Sequence, residues 1–395
     1  MTKTLLVIGA GRLQLPAILT ARRLGLTVVA VDRDPRAPGL EVADVGRAID
    51  TRDIAGVIAA ARDARVDGVI TICTDFPVRT VAAVAEELGL AALSVQAARL
   101  ATHKGLMREA FATGLAPHPK FHRTRSLAEA EQAAKALGYP VVVKPPESSG
   151  SRGISAIEHP DLLAEAFSRA SAIAGNGGEV LIESFVSGPE VSVETLSFAG
   201  NHHVVAVTDK RTSGHPHWIE TGHVQPSRLS DEAQASIHEA AHIGLRALGI
   251  DNSAGHVEIK LTPNGPMLIE IGARLGGDFI TTELVPRSTG VDMVEAVIRI
   301  ALGENPDVTC RRDSGAAIAY LAAARGVVRH ISGAEVAQAM PGVVRLEIDV
   351  KAGDETGPAS SSADRPGFVV AEGADAIEAE TRATMAAQRV KIETR

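Results

Sequence analysis

Gly255-His-Val-Glu-Ile-Lys-Leu-Thr-Pro-Asn-Gly-Pro-Met-Leu-Ile-Glu-Ile-Gly-Ala-Arg274 is two strand-like runs around a turn signal, Thr262-Pro-Asn-Gly265. Residues 255–260 and 266–272 alternate or run apolar as strands do, and the Asn264-Gly265 pair predicts a hairpin. Such pairing sets Glu258 and Glu270 side by side. Like charges facing each other across a hairpin are destabilising unless a cation lies between them. Two hard oxygen ligands for Mg²⁺ are therefore a better reading than cross-strand surface charge. Arg274 follows four residues after Glu270, and then Leu-Gly276-Gly277-Asp278.

Upstream, the apolar strand Tyr139-Pro-Val-Val-Val-Lys144 runs into Pro145-Pro-Glu-Ser148-Ser149-Gly150-Ser151-Arg-Gly153. A compact ammonium followed by a flexible loop of bare amides suits a triphosphate. No Gly-Lys-Ser/Thr follows, so this is not a Walker A loop, and taken alone it is as consistent with an ordinary surface loop. Some forty residues later comes Leu181-Ile-Glu183-Ser184-Phe185-Val186-Ser-Gly-Pro-Glu190. A strand entering a short connection offers backbone N–H and C=O groups to an adenine edge, and Glu190 can accept from ribose hydroxyls.

At the start of the chain, Thr4-Leu-Leu-Val-Ile-Gly-Ala10 reads as a strand buried on both faces. Gly9-Ala-Gly11 follows, and Asp32 ends the next strand, as in a dinucleotide site. The third glycine is missing: position 14 is Gln14, with Pro16 beyond. A tight turn in a nucleotide-free domain is the preferred reading. Strand–helix alternation, including a helix over Val78–Leu88 and a strand from Gly68, predicts a doubly wound parallel sheet over about the first 100 residues. Beyond it the pattern predicts a helical stretch over Val95–Thr113, a helix over Ser126–Leu137 capped by Ser126, strands from Val180, and a helix over Asp231–Leu248. An α+β segment follows Pro306, with a Gly/Pro/Ser-rich loop over Asp354–Pro366.

The 395 residues suffice for two or three domains at roughly 150 residues each. Lys plus Arg number 40 against 48 Asp plus Glu, a net charge of −8, which argues against nucleic-acid binding. Two cysteines, Cys73 and Cys310, make no disulfide framework, the opening residues show no signal peptide, and no apolar run approaches the length of a membrane span. A cytoplasmic α/β enzyme is expected, with no membrane or nucleic-acid partner.

In their order and spacing these segments resemble the ATP-grasp superfamily of carboxylate–amine ligases, over nearly the whole chain. His103-Lys104-Gly-Leu-Met-Arg108 looks like the family's lysine–methionine–arginine segment, and Lys144 with Ser148, Ser149, Gly150, Ser151 and Gly153 looks like its strand lysine and lid. Glu183, Ser184, Phe185 and Val186 look like the adenine hinge and Glu190 the ribose contact; Lys210 resembles a further phosphate lysine; Glu258, Glu270 and Arg274 look like the metal and catalytic cluster. Within the superfamily the match is nearest to the L-amino acid ligases that make dipeptides, and their natural-product relatives. Thr208-Asp-Lys210, Trp218-Ile-Glu220-Thr-Gly-His223-Val-Gln-Pro226, Ala273-Arg-Leu-Gly-Gly-Asp278 and Ser361-Ser-Ala-Asp-Arg-Pro-Gly-Phe-Val carry that resemblance. One departure is Gly272, where many members have Asn, two residues after the second metal Glu.

The resemblance implies an α/β and α+β multidomain protein. A Rossmann-like parallel sheet over 1–100 is followed by a two-part ATP-grasp fold, a central subdomain over 101–185 and a C-terminal one over 186–395, with an α+β extension from about 306. It implies that ATP and Mg²⁺ (or Mn²⁺) convert a carboxylate to an acyl phosphate, which an amine attacks to form an amide or peptide bond. Arg274 and Lys210 would be catalytic. Glu220, His223, Gly276, Gly277 and Asp278 are the substrate-side candidates, small-molecule carboxylates and amines the partners, and a homodimer the expected assembly. His215 and His217 read as loop residues, Cys73 as core, Asp75 as a weak ligand candidate at a strand's carboxyl end, and His202 and His203 as turn residues. The alternatives are a purine-pathway type of enzyme using bicarbonate or formate, and an NAD-dependent dehydrogenase built on Gly9 and Gly11.

Overall fold

The structure is a computed structural model describing all residues except Met1, Ser149, Ser151, Asn176, Gly177, 215–217 and Ser360. Ser149, Ser151, His215 and His217 therefore lie outside the described residues.

Leu5, Leu6, Val7 and Ile8 are all fully buried, as a strand covered on both faces must be. They belong to a parallel four-stranded sheet in the order Val45–Ala48, Thr27–Asp32, Thr4–Ile8, Gly68–Ile70. The glycine loop after the first strand is filled from within. A Cβ on Gly9 or Gly11 would come within 3.2 Å of the Gln14 side chain, whose Nε2 donates to the Ile72 carbonyl at 2.8 Å. Asp32 is also engaged locally, accepting from the N–H groups of Ala10 (2.8 Å) and Asp34 (2.9 Å). This arrangement supports the tight-turn reading of the loop.

The stretch 95–113 forms two helices, Val95–Ala101 and Lys104–Thr113, where one was expected. The break has a cause: the His103 ring accepts from the Leu106 N–H at 3.2 Å as an N-cap, and the Lys104 N–H donates to the Pro146 carbonyl at 2.8 Å. Lys104 thereby opens a helix beside the Pro145-Pro146 loop.

Next, Phe121–Thr124, Val180–Ser184, Val141–Lys144 and Ser155–Ile157 form an antiparallel sheet in that order. One face packs Val141, Val143, Val180 and Ile182 against the helices Leu127–Leu137 and Leu163–Ala174. Strand alternation turns Lys144 and Glu183 to the other face.

The largest sheet has eight strands in the order Gly265–Gly272, Ser253–Thr262, Glu190–Phe198, Asn201–Thr212, Glu220–Gln225, Gly315–Tyr320, Gly367–Gly373, Val343–Ile348. Val191, Val193, Val257 and Ile259 join the core with the helix Asp231–Leu248. The intervening residues of the first strands, Glu190, His256, Glu258 and Lys260, line the opposite, concave side. The hairpin closes on the pair Thr262 and Gly265 around Pro263-Asn264, the four-residue turn expected from the sequence. Gly265 takes φ +106°, a conformation glycine adopts without a Cβ penalty. The C-terminal helix Ala376–Arg389 packs Ala376, Ala379 and Ala383 against the far strands of the sheet.

Candidate active site

The concave faces of the antiparallel sheets and the carboxyl end of the parallel sheet enclose a cavity of about 380 Å³. It brings together Lys104, Lys144, Ser148, Gly150, Glu183 through Val186, Glu190, Lys210, Glu220, His223, Glu258, Glu270, Arg274, Gly277 and Asp278. Gly153 and Gly276 are not in its lining, though both adjoin residues that are.

Glu258 and Glu270 are direct cross-strand partners. Each is held by a different cation. The Lys210 Nζ donates to Glu258 at 2.8 Å, and the Lys104 Nζ to Glu270 at 2.8 Å and to the Ser148 carbonyl at 2.7 Å. The like-charge repulsion inferred from the hairpin is thus relieved by lysines, and the argument for a metal must rest elsewhere. It rests on donor type: two hard carboxylate oxygens adjoin lysines suited to phosphate, and Mg²⁺ commonly binds one or two carboxylates with substrate phosphates and water. Among the described residues no three His, Cys, Asp or Glu side chains form a metal-binding group, which leaves the remaining positions to phosphate and water oxygens. The buried Ser148 Oγ and His223 Nδ1 lack partners among the described residues. Donor set and orphaned atoms fit a magnesium–nucleotide ligand.

Lys210 also contacts Glu190 at 2.6 Å and Glu220 at 3.7 Å. Burial alone would lower its pKa, but Glu190, Glu258 and Glu220 together raise it well above the ordinary lysine value. Lys144 behaves oppositely. It has one carboxylate partner, Glu183 at 2.8 Å, and burial pulls its pKa down to about 8.

Glu183 is 3% exposed and bridges Lys144 and the fully buried Arg108, 2.9 Å away. Burial would raise its carboxyl, but the two cations keep it below the usual range. The hinge is likewise more internally committed than the sequence suggested. The Ser184 N–H donates to Lys120 O at 2.9 Å and the Phe185 N–H to Pro140 O at 3.2 Å. Glu183 therefore orients Lys144, and those two N–H groups are not free for an adenine edge. Phe185 lies 6.0 Å from the ring of Trp218, the chain's one tryptophan, and Lys260 sits 5.2 Å over that ring.

Arg274 forms a two-point ion pair with Asp75 of the parallel-sheet region: Nε to Oδ1 at 2.9 Å and Nη2 to Oδ2 at 3.1 Å. Burial opposes both charges, yet each holds the other ionised, so the Asp75 carboxyl lies below its usual range and the Arg274 pKa above. Cys73 packs against the core as expected and also lines the cavity, and desolvation raises its thiol to about 12.

On the substrate side, Asp278 receives hydrogen bonds from His223 (3.2 Å) and from both terminal nitrogens of Arg365 (2.9 and 2.6 Å). Burial would raise the Asp278 carboxyl, but these donors keep it far below its ordinary value. Arg365 stacks 3.6 Å from the centre of the Tyr320 ring. Glu220 accepts from the Ser362 hydroxyl at 2.9 Å. Behind them His256 pairs with the buried Glu194 at 2.7 Å; burial opposes its charge, but Glu194 raises it to about 9. A Cβ on Gly276 would come within 2.7 Å of both Glu194 and His256, so only glycine fits without a shift. His202 bonds Ser197 at 2.8 Å, in the hairpin beginning at Asn201.

Asp75 was only a weak ligand candidate from sequence, and Arg108, Trp218 and Arg365 stood within the quoted segments without a site role of their own. Asp75 had one signal, its position just past the carboxyl end of a parallel strand, where open sheets present ligand contacts. Arg365 had a different one, its place in the Ser361–Val369 segment that carries the L-amino acid ligase resemblance.

Residues 137–283 match the ATP-grasp domain family, and residues 319–395 match the L-amino acid ligase C-terminal domain 2. The chain is 28% identical over 338 residues to human (Homo sapiens) carnosine synthase 1, covering 78% of this chain and 41% of that protein. It is 28% identical over 262 residues to the alanine–anticapsin ligase of Bacillus subtilis (strain 168), covering 60% and 55%. It thus spans about half the length of these named relatives. The crystal structure of an L-amino acid ligase from Bacillus licheniformis superposes with a TM-score of 0.87 at 25% identity, covering 100% of this chain and 99% of that one. No helix among the described residues is long and apolar enough to cross a membrane.

Proposed function

We propose that this chain, an ATP-grasp ligase by those matches, is an ATP- and Mg²⁺-dependent carboxylate–amine ligase whose carboxylate substrate is an amino acid. The observation that carries this reading is the paired arrangement of Lys104 with Glu270 and Lys210 with Glu258, in one cavity with Arg274. Each lysine holds the place of a cation beside a carboxylate, ready to exchange that partner for phosphate oxygens.

In this reading Lys104, Lys144 and Lys210 hold the phosphates, with Ser148, Gly150 and Gly153 in the covering loop. The hinge wall of Ser184, Phe185 and Val186 faces the adenine, and Glu190 the ribose. Glu258 and Glu270 would hold Mg²⁺ (or Mn²⁺), which supplies charge neutralisation at the phosphate oxygens. A substrate carboxylate oxygen attacks the γ-phosphorus, the bond to the bridging oxygen of ADP breaks, and an acyl phosphate results. The amine nitrogen then bonds to the acyl carbon, the carbon–oxygen bond to phosphate breaks, and nitrogen loses a proton. Arg274 stabilises the acyl-phosphate and tetrahedral oxygens. Glu220, His223 and Asp278, with Gly276 and Gly277, shape the substrate side. The same reading divides the chain near residues 100 and 185.

Phosphate release from MgATP, screened against L-amino acids singly and in pairs, tests the proposal. Release that requires a pair, with a condensed product by mass, is the expected result. Release driven by bicarbonate or formate instead would select the purine-pathway type of chemistry. Tight NAD binding without MgATP binding would overturn both.

A further inference from the structure

Gly272 stands where the hairpin ends and Arg274 begins, and the surroundings of its missing side chain are specific. A Cβ built there would lie 2.9 Å from Arg274 Cζ and 3.1 Å from Asp75 Oδ1. No left-handed backbone angle demands glycine at this position. The space a side chain would need is instead taken by the Arg274–Asp75 ion pair.

Asp75 reaches that space from a segment that is fastened at several points. The Thr71 hydroxyl donates to Ile8 O at 2.8 Å and Gln14 Nε2 to Ile72 O at 2.8 Å, tying the segment to the parallel sheet. The Cys73 N–H donates to Leu275 O at 3.2 Å and its thiol to Gly276 O at 3.3 Å, tying it to the backbone just past Arg274. Cys73 itself has φ +61°, a left-handed conformation unfavourable for a residue with a Cβ, and Asp278 and Phe279 share it at +54° and +61°. Non-glycine backbone outliers that persist on both sides of one functional side chain are held by their surroundings, as at sites where geometry matters more than local comfort.

We propose that Asp75 is a positioning residue for Arg274, and that glycine at 272 provides the room in which the pair forms. The proposal rests on the ligase reading of Arg274 given above. A guanidinium free to rotate presents its donors in many directions; one gripped through Nε and one terminal nitrogen has a fixed plane. The second terminal nitrogen donates one N–H to Leu275 O at 3.3 Å, and its other N–H is the donor whose direction is set for a reacting oxygen. Asp75 does not touch the substrate in this scheme. It acts through Arg274, and it couples the parallel-sheet region to the chemistry of the hairpin.

The test uses the 395-residue chain in four variants, D75N, G272A, R274A and the double variant D75N/R274A, with MgATP and the L-amino acid pair that turns over in the wild type. D75N and G272A are expected to keep MgADP affinity and both KM values within about twofold, while kcat falls about tenfold or more. The double variant is expected to be no slower than R274A alone, because Asp75 acts only through Arg274. MgADP affinity, read from Trp218 fluorescence, and thermal melting report whether each variant is folded. G272A alters the same pair with both charges intact, and it carries the test if D75N does not fold. If R274A is impaired while D75N and G272A retain kcat within about twofold, or if the losses add in the double variant, the positioning role is wrong and the ligase reading stands. If R274A itself retains near-normal turnover, the role given to Arg274 is wrong, and this inference fails with it.

Discussion

Glu258 and Glu270 face each other across adjacent strands, yet their carboxylates are neutralised separately, Glu258 by Lys210 and Glu270 by Lys104. Lys210 in turn serves three carboxylates, Glu190, Glu258 and Glu220, from a side chain only 4% exposed. Removing one member of such a buried charge set leaves the others uncompensated. K210M is expected to destabilise the protein by roughly 3 kcal/mol. Urea denaturation measures this, and millimolar Mg²⁺ should recover part of the loss, since the ion offers the same carboxylates another cation. An unchanged urea midpoint would contradict the charge assignment.

Lys144 has a pKa near 8, so the free protein loses that charge as pH rises through 8. A bound phosphate favours the charged form, and binding then takes up a proton. MgADP affinity is expected to be flat below pH 7 and to weaken about tenfold between pH 7 and 9 if the ammonium is required. Trp218, the one tryptophan, lines the same cavity and serves as the fluorescence reporter. K144R keeps its charge throughout this range and should remove the slope. The same slope in K144R would assign the titration to another group.

The His256–Glu194 pair predicts a different pH dependence, in stability. The folded His256 titrates near 9, above its ordinary 6.5, so the pair's contribution is complete below about pH 6.5 and is lost as pH rises through 9. The contribution at low pH is at most roughly 3 kcal/mol. The melting temperature should fall between pH 6.5 and 9 in the wild type and fall less in H256Q. Parallel profiles would show that the pair does not titrate in this window.

Arg365 supplies two of the hydrogen bonds that keep Asp278 ionised. R365A is expected to cost roughly 2–3 kcal/mol in stability, and D278N/R365A to cost less than R365A alone, because the orphaned charge is gone. Thermal or urea unfolding decides it. A double variant less stable than R365A would mean that the carboxylate is satisfied without Arg365.

Local pattern reached far into this protein. The helices Val78–Leu88 and Asp231–Leu248 stand where periodicity and caps put them, and the run Leu5–Ile8 is buried on both faces. The adjacency of Glu258 and Glu270 followed from strand alternation and a turn signal, because a hairpin brings together residues that are close in the chain. The break at Thr102-His103 was not read from the sequence: its His103 cap is local, but the contact of Lys104 with Pro146 spans more than forty residues. The same limit explains the partners that local pattern did not supply. Glu183 meets Arg108 across 75 residues, Arg365 meets Asp278 across 87, and Arg274 meets Asp75 across 199.

Residue types and their local spacing thus determined which elements form, which face of each strand is polar, and which lysines, glutamates and arginine share the concave side. Tertiary structure decided the pairings: which cation neutralises which carboxylate, that Glu183 turns inward to orient Lys144, and that the bare position at Gly272 is filled by the ion pair of Arg274 with Asp75, which comes from a loop past a parallel strand. The reason is physical. Periodicity records the environment a side chain must face, whereas the partner it meets there depends on how distant segments pack, and short-range pattern carries no trace of that.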